Sequence, residues 1–364
     1  TSNSAICYVD ALAQSTAVEH LAVTQTDRPG SAEQLPVLPS FLYLMLPHER
    51  ESGVLRLNFQ SGENSRCCAG VFAKEQSAIL AGRVISSAKS WLCHGGVDRE
   101  AAILPWASAD VSPDEKLSPV QVSAAYLHHF RELWNSTLGA YHEEYRFERQ
   151  DITVTVPASF DEAAQRLTLA AARESGYPES VRLLEEPQAA FLYWLEKEGR
   201  SKSLLAGLAA NEPPYTVLVC DIGGGTSDFS LFEVTPRLEA EPVIERIAVS
   251  DHILLGGDNI DLALAHALEQ RMLGADELSG LSRRLSPRQF RHLLSAARAL
   301  KERILGNEEE ISSGEECRVS VPAEGSSLFG GSLTALIKRD EVCAMVTDGF
   351  FPFCPAEAKP HSRS

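Results

Sequence analysis

The feature that most constrains this sequence is a run of three glycines, Gly223-Gly224-Gly225, between two predicted strands. The continuous apolar segment Tyr215–Cys220 is typical of a buried strand, and Phe229–Val234 predicts a second strand. Glycines adopt positive φ and allow backbone N–H groups to close around a phosphate, although the same run also occurs as plain turn geometry. Asp221 and Asp228 flank the turn and carry the oxygens that a magnesium ion or its waters require. The segment therefore predicts a strand–turn–strand unit that is either a phosphate loop or a simple tight turn.

A second glycine pair, Gly256-Gly257, precedes Asp258-Asn259 and a predicted helix over Ile260–Met272. The N–H groups and the dipole at a helix N-terminus favour an anion such as a phosphate. Asp and Asn at this position are also ordinary helix caps that need no ligand. Both interpretations stay open from the residues alone.

A third segment, Glu185-Glu186-Pro187, follows a short predicted strand over Val181–Leu184. The residue before proline is pushed toward extended geometry, so the Glu186 carboxylate is held at the end of that strand. There it could orient a water molecule or bind magnesium. The alternative is an acidic pair at the surface with no ligand.

The surrounding segments predict alternating strands and helices, and hence an α/β protein. Asp151–Val156 alternates as a strand does, the capping box Ser159–Glu162 opens a helix that ends at Gly176, and Ser286-Pro287-Arg288-Gln289 opens a long helix that ends at Gly306. Further predictions are helices over Val122–Leu138 and Gln188–Leu195, a connector over Arg200–Pro214, and an alternating stretch over Arg318–Val321.

Composition excludes some functions and leaves others. A net charge of −17 over 364 residues opposes nucleic-acid binding, and the basic stretch from Arg283 to Arg303 is interpreted as a solvated helix face. No apolar run spans a bilayer and no secretory signal is visible, so we expect neither a membrane partner nor export. The eight cysteines contain no C-x-x-C pair, which indicates reduced thiols in the cytoplasm. A metal site at Cys67, Cys68, Cys93 and His94 would lack the spacing typical of zinc.

Taken together, the order of these segments resembles the ATPase domain of the DnaK-type 70 kDa heat-shock chaperones. The resemblance is carried by Asp151–Phe160, Leu183–Ala190, Asp221–Thr226 and Leu255–Asp258. It is specific from Asp151 to Met272, weaker from Thr1 to Gly306, and poor afterwards. It implies an actin-like two-lobed ATPase fold with ribonuclease-H-like subdomains and an incomplete second lobe. Lobe I would span 1–212, with 31–119 as its peripheral subdomain. Lobe II would span 213–364, with 258–340 as its peripheral subdomain.

The resemblance also implies ATP or ADP with Mg²⁺ as cofactors and a role for each matching residue. Lys89 would contact the γ-phosphate, Glu186 would position the attacking water or the metal, and Asp221 and Asp228 would lie near the magnesium ion. The remaining nucleotide contacts would come from Thr1, Ser2, Asn3, Gly223, Gly224, Gly225, Thr226, Gly256, Gly257, Asp258, Arg298 and Lys301. The sequence departs from the family at Glu302, where a stacking arginine is usual, at Leu305, where a serine is usual, and at Gln165, where an arginine is usual.

The function expected from this resemblance is ATP binding and hydrolysis in a DnaK-like chaperone that assists protein folding. Client polypeptides and co-chaperones would be the partners of the full-length protein, of which we expect this chain to be a fragment. The alternatives are a non-hydrolysing nucleotide-binding scaffold or regulator of the same fold, and another actin-like ATPase such as a sugar kinase or a filament protein.

Overall fold

The computed structural model describes residues 2–11, 17–60, 66–200, 214–235, 237, 243–251, 253, 255–274, 284–306, 314–323, 331–355 and 357–359, without the side chains of 198–200. The chain forms two compact units: Thr1–Gln76 with Gly82–Gly256, and Ser77–Ala81 with Gly257–Ser364. In the described residues it is a mixed α/β protein whose sheets have two or three strands each. None of the described helices is both long enough and apolar enough to cross a membrane.

The first unit contains most of the elements. Its strands are β1 (Asn3–Ser4), β2 (Cys7–Tyr8), β3 (Glu19–His20), β4 (Val23–Arg28), β5 (Ser31–Leu35), β6 (Leu38–Pro39), β7 (Phe41–Leu44), β8 (Cys67–Ala69), β9 (Val84–Ser86), β10 (Thr153–Val156), β11 (Arg182–Glu185), β12 (Tyr215–Ile222), β13 (Ser227–Thr235) and β14 (Val243–Val249). Its helices are α1 (Pro47–Ser52), α2 (Val71–Gln76), α3 (Ala88–Trp91), α4 (Pro119–Ser136), α5 (Glu162–Glu174) and α6 (Glu186–Arg200).

Helix α4 packs its apolar face against the antiparallel sheet β8-β7-β9. Val122, Phe130 and Leu133 are buried there beside Leu42 and Ile85. The helix begins where the sequence provides a cap, because the Ser118 hydroxyl accepts a hydrogen bond from the Gln121 N–H at 3.2 Å. This packing places the short helix α3, directly after β9, against α4.

Helix α5 follows the parallel pair β10–β11 but begins later than predicted. Asp161, not Ser159, is the N-cap, and its carboxylate accepts a hydrogen bond from the Ala164 N–H at 2.7 Å. The predicted capping box at Ser159–Glu162 is therefore wrong, since a second capping residue two positions on displaces it. The predicted end is confirmed, because Gly176 adopts φ of +84° just after the helix.

The antiparallel sheet β12-β13-β14 is covered on one face by α6. The ring of Phe191 stacks on Phe232 with centroids 4.9 Å apart and an interplanar angle of 5°. Side chains of β12 alternate, so that Leu218 and Ile222 are 58% and 51% exposed on the other face. The prediction of a fully buried strand is wrong, since α6 covers only one face of this sheet in the described residues.

Helix α6 also begins two residues earlier than predicted, at Glu186. Pro187 stands in its first turn, where the missing N–H costs no hydrogen bond. The lobe boundary predicted between 212 and 213 stays a prediction. Residues 201–213 lie outside the described residues, and the two compact units divide between Gly256 and Gly257.

The second unit packs two long helices on a hairpin. Its elements are α7 (Gly257–Leu273), α8 (Pro287–Gly306), β15 (Glu316–Pro322), β16 (Ser332–Lys338) and α9 (Arg339–Gly349). Leu264, Leu268, Leu293, Ile304 and Ile337 form its buried core. The predicted start of α8 and the alternation of β15 are confirmed, whereas β16 and α9 were not predicted.

Candidate functional site

The triple glycine forms the turn between β12 and β13. The Gly223 N–H donates a hydrogen bond to the Thr226 carbonyl at 2.8 Å, which closes the hairpin. Asp221 and Asp228 lie directly opposite each other in the ladder, and Asp228 is 2% exposed. Both carboxylates are therefore held on rigid strands at the base of the turn.

The second glycine segment lies against this turn. A Cβ atom on Gly256 would come within 2.6 Å of the carbonyl oxygens of both Gly223 and Gly224. The Ser227 hydroxyl donates to the Leu255 carbonyl at 2.7 Å, which ties the start of β13 to the same segment. Gly256 is therefore required for close approach of two backbones, a role that its position in the sequence did not reveal.

Lys89, Glu186 and Asp221 lie together in the first unit. The Lys89 ammonium forms an ion pair with the Glu186 carboxylate, although 97 positions separate them in the chain. The Lys89 ammonium also lies 5.9 Å from the centroid of the Phe160 ring. Burial raises the pKa of Asp221, and the neighbouring Glu186 carboxylate raises it further, while Lys89 opposes the rise. The three residues predicted to be catalytic thus share one electrostatic environment.

The carboxylates of this site suit a magnesium ion that is coordinated by few protein side chains. Within the part of the chain that the structure describes, no three His, Cys, Asp or Glu side chains are grouped to hold a metal ion by themselves. Mg²⁺ usually binds through one or two carboxylates and completes its shell with waters and phosphate oxygens. Burial first, and then the Glu186 carboxylate, raise the pKa of Asp221, and a cation beside it would oppose both effects. The predicted metal roles of Asp221, Asp228 and Glu186 remain predictions.

In the second unit, the three predicted polar contacts form one ion network. Arg298 pairs with Asp258, with 2.9 Å between Nη2 and Oδ1. Lys301 donates to the Gly257 carbonyl at 2.9 Å. Both cations also bind Asp261, which is fully buried and which the sequence analysis missed. The signal for it was the i,i+3 spacing of Asp258 and Asp261, which matches that of Arg298 and Lys301 on the facing helix.

The described contacts of the amino-terminal candidates for phosphate binding are with the backbone near β6. Ser2 accepts a hydrogen bond from the Ser40 N–H at 2.9 Å, and Asn3 pairs with Pro39 in the ladder between β1 and β6. Thr1 lies outside the described residues. A contact of these residues with phosphate remains a prediction.

The chain matches the family model described as Hsp70 protein over residues 84–350. Similar curated proteins include the "Chaperone protein HscA homolog" of Burkholderia pseudomallei (strain 668), of Burkholderia thailandensis and of Burkholderia mallei (strain SAVP1). Each is 32% identical to this chain over 286 residues, which are 76% of this chain and 39% of the relative. The chain thus spans about two fifths of the length of these relatives.

The glycine hairpin and the family match together define the class of the chain as a domain with the actin-like fold. The chain belongs to the Hsp70 family. The match extends to residue 350, past Gly306, beyond which the sequence resemblance was expected to be poor.

Proposed function

We propose that this chain binds ATP and ADP with Mg²⁺ and hydrolyses ATP as the nucleotide-binding part of an Hsp70-type chaperone. The observation that carries the proposal is the joint placement of Lys89, Glu186 and Asp221 in the unit that contains the glycine hairpin. Phosphoryl transfer needs positioned groups and compensating charge more than covalent chemistry. Client polypeptides and co-chaperones would be the partners of the full-length protein.

Each residue has a distinct role in this proposal. Gly224, Gly225 and Thr226 hold phosphate oxygens through backbone and hydroxyl donors, while the Gly223 N–H closes the hairpin. Gly256 allows the second glycine segment to reach the same turn. Lys89 offsets the negative charge of the γ-phosphate. Glu186 accepts a hydrogen bond from the attacking water and so orients it toward phosphorus. Asp221 and Asp228 would hold Mg²⁺, which neutralises the phosphate charge that develops during transfer.

In the hydrolysis step, the water oxygen forms a bond to the γ-phosphorus as the bond to the β–γ bridging oxygen breaks. The products are ADP and inorganic phosphate, and the proton of the water passes to solvent through the phosphate or Glu186. The ion pair between Lys89 and Glu186 holds both side chains near this position before nucleotide arrives.

The non-hydrolysing regulator stays the second candidate because of the acidic surroundings of the adenosine contacts. Glu302 stands where the family usually stacks an arginine, and a carboxylate cannot replace a guanidinium on an aromatic base. Arg298 and Lys301 are also engaged by carboxylates of their own unit. A sugar kinase or filament protein is disfavoured, since the chain matches the Hsp70 family.

Single-turnover hydrolysis with and without Glu186 tests the proposal. Glu186→Gln should slow turnover by about 100-fold or more, because the neutral amide that replaces the carboxylate cannot take up a proton from the attacking water. Binding of Mg-ADP, measured by thermal melting, should persist. The matched control is Glu179→Gln, whose carboxylate is 80% exposed, and it should leave both quantities unchanged.

Three outcomes separate the alternatives. Wild-type protein that shows no melting shift with millimolar Mg-ADP would contradict nucleotide binding altogether. A clear shift without turnover would support the regulator. Turnover that survives Glu186→Gln would remove Glu186 from its role while leaving the ATPase intact.

A further inference from the structure

The buried carboxylate of Asp261 is the centre of the ion network in the second unit. Its Oδ2 atom lies 2.8 Å from Arg298 Nε, and its Oδ1 atom lies 2.6 Å from Lys301 Nζ. The Asp261 side chain is 1% exposed, whereas those of Arg298 and Lys301 are 18% and 14% exposed. Each oxygen thus holds one cation from inside, and the outer part of both cations stays accessible.

Two further contacts fix the directions of these cations. Arg298 reaches Asp258, and Lys301 reaches the carbonyl of Gly257 at the start of α7. Asp258 and Asp261 lie one turn apart on α7, and Arg298 and Lys301 lie one turn apart on α8. The network therefore connects α8 to the chain directly after Gly256.

We infer that Asp261 is a positioning residue that orients Arg298 and Lys301 for contact with the nucleoside part of a bound nucleotide. The inference rests on the proposed function, in which these two cations bind adenosine. Asp261 itself has no exposed surface with which to touch a ligand.

The physical reason is preorganisation. Lysine and arginine side chains carry large rotamer entropy, which is lost when they are held against a ligand. Asp261 restricts both side chains before the ligand arrives, so binding costs less. It also supplies the opposite charge that two cations in a buried position need. Removing it would release or redirect both groups at once.

Glu269 on the same helix provides a matched control. It is 4% exposed, and it accepts hydrogen bonds from the Leu285 N–H at 2.9 Å and from Arg284 at 3.1 Å. Glu269→Gln removes a buried carboxylate of the same helix without touching Arg298 or Lys301. It should lower the melting temperature and leave the affinity for ADP unchanged.

The test measures the Kd of Mg-ADP by calorimetry for Asp261→Asn in two backgrounds. In the wild-type background, affinity should fall about tenfold, the effect expected when hydrogen bonds to charged groups are lost. In the Arg298→Gln/Lys301→Gln background, the same change should alter Kd by no more than about twofold, because a residue that acts through the cations has nothing left to position. If Asp261→Asn does not fold, the double variant Asp261→Asn/Arg298→Gln is compared with the single variant Arg298→Gln. The double variant should again bind Mg-ADP about tenfold more weakly, because Asp261 still positions Lys301 in the single variant.

Wild-type affinity in the Asp261→Asn variant would overturn the inference, as would an equal loss in the background that lacks both cations. A loss of the same size in Glu269→Gln would also overturn it, since that would be a general effect of destabilising α7. A wild-type chain that binds no ADP would instead refute the proposed function. The two failures are thereby distinguished.

Discussion

Gly256→Ala is the most direct test of the geometry around the glycine hairpin. The added methyl group would lie 2.6 Å from the carbonyl oxygens of Gly223 and Gly224 and 2.8 Å from the carbonyl carbon of Gly224. These are backbone atoms in a closed turn, so they cannot rotate away as a flexible side chain would. Either the turn opens or the segment before α7 moves.

The cost follows from overpacking in a well-packed structure, which is typically about 1–3 kcal/mol. Because three backbone atoms are contacted, we expect roughly 2–3 kcal/mol at this position. For a unit of this size, each kcal/mol lowers the melting temperature by about 2–4 °C, so Gly256→Ala should lower it by about 5–10 °C. The displaced carbonyls belong to the proposed phosphate turn, so stabilisation by Mg-ADP should shrink as well.

The assay is a thermal melt followed by tryptophan emission, since all four tryptophans lie in the first unit. Gly95→Ala is the matched control. A Cβ atom there meets nothing within 4 Å and φ is not positive, so this change should be neutral or slightly stabilising. If Gly256→Ala melts within about 1 °C of Gly95→Ala and binds Mg-ADP normally, the close approach of the two glycine segments is refuted.

Two further predictions concern titratable and thiol groups. Burial lowers the pKa of His129 to about 4 from 6.5, so the neutral ring is favoured in the folded state. The contribution of the neutral ring to the free energy of unfolding is complete above pH 6.5 and is lost as pH falls through 4. The loss amounts to about 3 kcal/mol at most. His129→Gln, which keeps an N–H donor for the Thr24 carbonyl, should flatten this part of the stability profile in urea unfolding at pH 7, 5.5 and 4.5; an unchanged slope would contradict the assignment. In native protein, a disulfide reagent should modify the exposed Cys220 and Cys354 rapidly and the buried Cys68 only after unfolding, because burial raises the pKa of Cys68 to about 12; fast modification of Cys68 would refute its burial.

Elements with local signals were predictable from sequence. The Ser286 hydroxyl accepts from the Gln289 N–H at 3.2 Å, and the Gln289 side chain accepts from the Ser286 N–H at 3.1 Å, as the capping box required. The alternation of β15 likewise appears as alternating burial. Such patterns are readable because both partners lie within four residues.

Prediction from local sequence patterns failed where two capping residues lie close together and where an element has few buried apolar side chains. Ser159 and Asp161 are both of residue types that cap helices, and in the structure Asp161 is the cap and also forms an ion pair with the distant Arg99. Strand β16 was missed because its central buried position is a small residue, Ala335, and α9 was missed because Val342 is its only buried side chain. The exposed face of β12 was also not predictable, since an apolar run does not tell which neighbours will cover it.

The sequence by itself determined the glycine turn, the start of α8 and the family, because each depends on residues that are adjacent in the chain. Only the tertiary structure decided which of these segments meet. Lys89 reaches Glu186 across 97 positions, Gly256 lies against Gly223, and Asp261 joins two cations of another helix. Backbone hydrogen bonds and caps are satisfied locally, whereas contacts between distant segments depend on how helices and sheets pack, and that packing is a property of the whole chain.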